Sequence, residues 1–176
     1  MLLRNFGQIF RVRPSSSSLV QMKQSNGVML QTSPLNYFLS SVPFSRYAEG
    51  NSVNNIERYP GLALGTGTTA PTIDDYKMEN YLDDNSLRSV SSGRTIPVGN
   101  YETPDIWVFS QTVENITQQD LSITEIGLFT ASSVLGYACF LLTRDVINPV
   151  VIAPGETKTF VVTIDFTQAI TSVATS

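Results

Sequence analysis

Three stretches of this 176-residue chain carry residue types that do chemistry in proteins. Gly65-Thr66-Gly67-Thr68-Thr69-Ala70 has the spacing G-x-G-x-x-[GA], in which glycines let the backbone approach a pyrophosphate and a following helix presents its N-terminal amides to it. The context is different here: Pro71-Thr72 follows at once, with no amphipathic helix or second β-α unit after it. The segment is expected to be a loop that ends a strand, and no cofactor is assigned to it. Asp74, Asp75, Glu79, Asp83 and Asp84, with Asn80 and Asn85, could offer oxygens to a hard cation. Their spacing lacks the alternating ligands and closing glutamate of an EF-hand loop. A solvated polar loop and a cation site both stay open for residues 74–85. The same carboxylates would serve a hydrolase only if two were held rigidly in different environments, and nothing in the pattern dictates that.

The third stretch is defined by what is missing around it. The chain has no histidine, and its one cysteine, Cys139, sits in the apolar run Tyr137-Ala138-Cys139-Phe140-Leu141-Leu142. Ser-His-Asp and Cys-His relays, His-ligated zinc and imidazole proton shuttles are excluded. A thiol among aliphatic residues is expected to behave as a small hydrophobe, and one cysteine allows no intrachain disulfide. No catalytic residue, metal-ligand set or cofactor is assigned, and an enzyme is not expected. Asn115-Ile116-Thr117 is a glycosylation sequon by pattern. The opening residues lack the apolar core and small-residue cleavage site of a secretory signal, so the sequon is taken as chance.

Two charges stand in the most apolar strand-like segments: Glu125 in Leu121–Ile126 and Arg144 at the end of Gly136–Arg144. Burying either ion alone costs several kcal/mol, on the order of 3–5. Two arrangements satisfy them: a mutual ion pair across adjacent strands, or exposure of each at a strand end.

The elements that must position these residues are strands. Gly61–Gly65 is a short apolar run; Ile106–Val113 is rich in β-branched and aromatic residues; Leu121–Ile126 alternates until Gly127, where a bulge or a close backbone approach is expected. Gly136–Arg144 has strand length and should be covered on both faces. Val150–Ile152 ends at the Pro154-Gly155 turn, and Thr95–Val98 reads as an edge strand because Pro97 cannot donate to a ladder. In Thr157–Phe166, Phe160, Val162, Ile164 and Phe166 fall on one face and Thr159, Val161, Thr163 and Asp165 on the other. Only Ile73–Arg88 leaves room for a helix or a long irregular excursion. Closely spaced strands without helical periodicity predict an all-β protein, an antiparallel β-sandwich of jelly-roll or Ig-like type.

Charge divides the chain. Residues 1–48 carry five basic residues and no acid, whereas residues 49–176 carry six bases and fifteen acids. We expect an extended N-terminal arm and docking segment over 1–48 and a sandwich domain over 49–176. Leu3, Phe6, Ile9 and Phe10, interleaved with Arg4, Arg11 and Arg13, are the candidate docking residues. An ordinary first strand plus loop is the alternative for the same segment. The basic residues are too few and too spread for sequence-specific nucleic-acid recognition. No apolar run reaches the roughly 20 residues of a membrane span. Only 15% of residues are charged, while serine contributes 20 and threonine 18, so hydroxyls and amides must solvate much of the surface.

Four blocks in order, Leu64-Gly-Thr-Gly-Thr-Thr-Ala-Pro-Thr-Ile-Asp-Asp-Tyr, Ile123-Thr-Glu-Ile-Gly-Leu-Phe, Leu141-Leu-Thr-Arg-Asp-Val-Ile-Asn-Pro-Val and Ala153-Pro-Gly-Glu-Thr, resemble small β-sandwich structural proteins of tailed-bacteriophage virions. The resemblance spans roughly residues 61–166. It implies a virion location, no catalytic residues and capsid, connector or tail subunits as partners. The expected role is an accessory subunit of the capsid or head-tail region, a homo-oligomer acting by protein-protein packing. The alternative is a receptor- or glycan-binding module of the tail or a head fibre, with Tyr76, Tyr81 and Tyr101 stacking on sugars.

Overall fold

The computed structural model describes Met1 and residues 20–32, 61–95, 106–132 and 138–165. These residues form eight strands and no helix: β1 Val20–Lys23, β2 Met29–Thr32, β3 Gly61–Gly65, β4 Leu87–Thr95, β5 Ile106–Asn115, β6 Leu121–Ser132, β7 Ala138–Ile152 and β8 Thr157–Asp165. All pairings are antiparallel. A hairpin pairs β1 with β2, a first three-stranded sheet has the order β3-β6-β7, and a second has the order β4-β5-β8.

Alternating side chains from both larger sheets meet in one buried cluster. Leu62, Leu64, Ile126, Leu128, Phe140 and Leu142 come from the first sheet, and Leu87, Phe109, Val113, Phe160 and Ile164 from the second. The predicted division of the last strand matches this placement, since Phe160 and Ile164 are buried while Val161 is 55% exposed. Each fully buried aliphatic side chain contributes about 1.5–3 kcal/mol relative to exposure. The hairpin adds Met22 to the same cluster, so residues 20–32 of the segment expected to be an arm pack with the body. The proposed docking residues Leu3, Arg4, Phe6, Ile9, Phe10, Arg11 and Arg13 lie outside the described residues, as do Pro97, Tyr101 and the side chain of Cys139.

The structure corrects three strand expectations. The segment Leu87–Thr95, placed partly in an irregular excursion, is a full strand whose register shifts between Ser89 and Ser91. β6 does not end at Gly127 but runs on to Ser132, with a register shift just beyond it between Leu128 and Phe129. Gly136–Arg144 and Val150–Ile152 are not separate: β7 is continuous from Ala138 to Ile152. Its partners jump from Val146 opposite Glu125 to Val150 opposite Ile123, and Pro149 falls in that bulge, where its missing N–H breaks no ladder bond.

Of the three sheet changes, β3 to β4, β5 to β6 and β7 to β8, the last two lie at neighbouring corners. Asn115 fastens both. Its side-chain amide donates to the carbonyls of Gln119 and Ile152, both at 2.8 Å, and its Oδ1 accepts from Thr117. The sequon asparagine is thus buried with its nitrogen committed to two backbone acceptors, which gives the Asn-x-Thr pattern a structural cause.

Candidate functional site

The first sheet has a second buried face. Ala63 of β3, Phe129 of β6 and Leu141 of β7 pack with Met78, and Tyr81 lies against them. Met78 and Tyr81 belong to the segment 66–86, which leaves β3, crosses this face and returns to start β4. The excursion also pairs along β3: Leu82 N donates to Leu64 O at 3.0 Å and Thr66 N to Asn80 O at 2.8 Å. Packing over Gly127 is close: an added Cβ would lie 2.5 Å from Met78 Sδ, 3.0 Å from Leu141 Cδ1 and 3.2 Å from Thr143 O, so a side chain there would have to displace Met78. The expectation of a close backbone approach at Gly127 thus meets an observed contact.

Glu125 and Arg144 point into the space between this face and the excursion. Gly127 pairs with Arg144, and Glu125 lies two residues from Gly127 on the same face. Arg144 Nε donates to Glu125 Oε1 at 2.5 Å, with Glu125 at 0% and Arg144 at 3% exposure. The structure therefore brings the two residues together, across adjacent strands. It adds two partners from the excursion: Arg144 Nη1 donates to Asp75 Oδ2 at 2.8 Å and Nη2 to Glu79 Oε2 at 3.2 Å. One guanidinium holds three carboxylates, a use suited to its planar array of five N–H donors.

The Glu125 carboxylate is also enclosed by backbone. It accepts from Glu79 N at 2.7 Å, Asn80 N at 3.1 Å and Gly67 N at 3.3 Å. A Cβ on Gly65 would lie 2.5 Å from Glu125 Oε2 and 2.6 Å from Asn80 O; one on Gly67 would lie 2.6 Å from the same carboxylate oxygen. The glycine-rich segment contributes one amide, from Gly67, and the space left by two glycines to the enclosure of an anion, which is the chain's own carboxylate. Charge-assisted bonds of this kind are roughly twice as strong as neutral ones, which offsets the desolvation of a fully buried ion.

Titration follows the geometry. Burial pushes the Asp75 carboxyl up, but hydrogen bonds from the Thr72 hydroxyl and amide, and then from Arg144, hold it below its ordinary value. Bonds from the Thr69 hydroxyl and amide, with the Arg144 charge, likewise hold Glu79 down. Burial alone would lower Arg144, yet Glu125 and Asp75 raise it further above its usual value. Asp75, Glu79 and Arg144 therefore stay ionised at neutral pH.

The acidic stretch is thereby divided. Asp75 and Glu79 turn to Arg144, while Asp83 caps its own turn, accepting from Asn85 N at 3.1 Å and Ser86 Oγ at 3.3 Å. Among the described residues no group of acidic, histidine or cysteine side chains is disposed to hold a metal ion; a guanidinium stands at the centre of the acidic cluster. An open depression of about 280 Å³ is lined by Thr69, Thr72, Asp75, Tyr76, Glu79 and Arg144. Tyr76 faces the hairpin, with Lys23 Nζ 3.8 Å from its ring centroid. Sequence reasoning found the Glu125–Arg144 pair but missed Asp75, Glu79 and the two glycines as its partners. The signal was present in the coincidence of an anion-cradle spacing and a lone buried acid.

No family model matches the chain, and no curated protein or solved structure matches it. No helix of the described residues is long and apolar enough to cross a membrane.

Proposed function

We propose that the chain is a non-enzymatic packing subunit, a β-sandwich module that serves as an accessory protein of the capsid or head-tail region in a tailed-bacteriophage virion. The strand sequence alternates between the two sheets as β3, then β4 and β5, then β6 and β7, then β8, which supports a sandwich of the jelly-roll or Ig-like kind. The observation that carries the functional reading is the state of the charged cluster. Glu125, Asp75 and Glu79, the acids best placed for acid-base work, are bonded to Arg144 and to backbone amides. They fasten a long excursion to a sheet. What the outer face of β4-β5-β8 then offers among the described residues is sheet bearing the hydroxyls of Thr112, Thr159 and Thr163, a surface for abutting other proteins in a homo-oligomer or a mixed shell.

The glycan-binding alternative needs free aromatic faces. Tyr76 stacks with Lys23 and Tyr81 packs on the second buried cluster, while Tyr101 lies outside the described residues, so no observation favours that alternative.

Mass spectrometry and cryo-electron microscopy of purified particles test the proposal, with the chain expected in many symmetry-related copies. Its absence from particles would overturn the virion reading. The docking role of the leading segment is tested by removing residues 2–19, which keeps Met22 in the core. The truncated body should fold and fail to incorporate; normal incorporation would overturn the docking role.

A further inference from the structure

Open sheet edges are templates for pairing, and proteins block the ones they do not use with bulges, prolines, charges or covering segments. Three of the four edge strands of the two larger sheets are blocked. The excursion bonds along β3. The β7 edge has its Pro149 bulge, and Met1 exchanges backbone hydrogen bonds with Arg144 there. The β4 strand is broken in register at Val90 and bears Arg88. The fourth edge differs. β8 keeps an unbroken register against β5 from Thr157 opposite Glu114 to Asp165 opposite Ile106, and no proline or bulge occurs in its nine residues. Among the described residues it is paired on one side only.

We propose that β8 is a self-association edge, pairing antiparallel with β8 of a second copy about a two-fold axis at Val161. This deepens the packing reading and rests on it for its biological setting. The occupant is a second copy because β8 is complementary to itself. Faces match across an antiparallel pair only when the register keeps the period of two; a one-residue slip would turn Phe160 and Ile164 outward. Val161 is the midpoint of β8, so a register centred there is face-consistent and engages all nine residues. It sets Val161 against Val161, Thr159 against Thr163 and Phe160 against Val162 of the other copy. Lys158 meets Ile164, and no like charges face each other. A parallel pairing in register would instead stack lysine on lysine. The product is a continuous six-stranded sheet, β4-β5-β8 joined to its symmetry mate, an isologous interface closed by a two-fold.

The test is register-specific cross-linking of the full chain under mild oxidation, with wild-type protein as the control for Cys139. Directly opposed residues bring their Cα atoms within disulfide range, whereas positions offset by four residues along paired strands are about 13 Å apart. Val161→Cys should convert to a covalent dimer, while Thr159→Cys and Val151→Cys should stay monomeric on a denaturing gel. In parallel, Val161→Lys should shift the sedimenting species from dimer to monomer with no change in monomer melting. Equal cross-linking at all three positions, a monomeric wild type, or a dimer indifferent to Val161→Lys would each overturn the proposal. The presence of the chain in particles is read separately, so the virion reading and this interface can fail independently.

Discussion

The outer faces of the two larger sheets solve the same problem in opposite ways. The outer face of β3-β6-β7 is roofed by residues 66–86 and encloses Arg144 with three carboxylates. The outer face of β4-β5-β8 has no such roof over Thr159, Val161 and Thr163, which are exposed. Its polar groups bond to one another, as Thr112 does to Thr159 at 2.8 Å and Arg88 to Glu114 at its margin. Charge is used where a loop has to be held, and hydroxyls are used where a surface has to stay soluble yet able to pack. A hydroxyl gives up its water more cheaply than an ion does, which suits the second face to association.

The contrast predicts unequal sensitivity to substitution. The largest loss is expected at the cluster: Arg144→Met strands a fully buried Glu125, and Glu125→Gln offers an amide NH₂ where backbone N–H groups already point. Each should cost about 3–5 kcal/mol in denaturant melts; no loss for Glu125→Gln would show that the pair does not hold the fold. Next comes Gly67→Ala, whose Cβ would press on Glu125 and on Glu79. It should cost about 1–3 kcal/mol, with local opening of 66–86 visible by hydrogen exchange.

Acid should act on the roofed face first. Asp75 and Glu79 titrate below their ordinary values when folded, so their contribution is complete above the unfolded pKa values of about 4. It falls as the pH drops through that range and is gone below the folded values. Urea midpoints measured from neutral pH down to about pH 3 should decline, and Arg144→Met should flatten that decline. An equal slope in the variant would assign the acid sensitivity elsewhere. The smallest effects belong to the open face: Thr112→Val within about 0.5 kcal/mol and Arg88→Ala at most about 1 kcal/mol. A large loss from either would erase the distinction between the two faces.

Much of the framework is readable from residue pattern, because β5 and β8 alternate between two faces, as does β6 up to its register shift after Ile123. β4 is hidden by its composition. Leu87-Arg-Ser-Val-Ser-Ser-Gly-Arg-Thr has few apolar residues, and the register shift at Val90 breaks the period that would reveal them. β7 reads as two strands because Asn148-Pro149 looks like a turn; the bulge that absorbs it depends on the partner strand. Of the β1-β2 side chains among the described residues, Met22 alone is fully inside the core, too little to stand out in a basic segment. At the site, Glu125 and Arg144 are legible because lone charges in apolar strands demand partners. Asp75 and Glu79 are not, because an aperiodic loop gives no hint of the face it crosses.

Hydrogen exchange of the chain free in solution and within purified particles tests the central claim most directly, that the roofed face is internal scaffolding and the open sheet is the packing surface. Amides of β8 are expected to slow on assembly while those of residues 66–86 keep their solution rates. Protection gained over 66–86 with β8 unchanged would contradict the account.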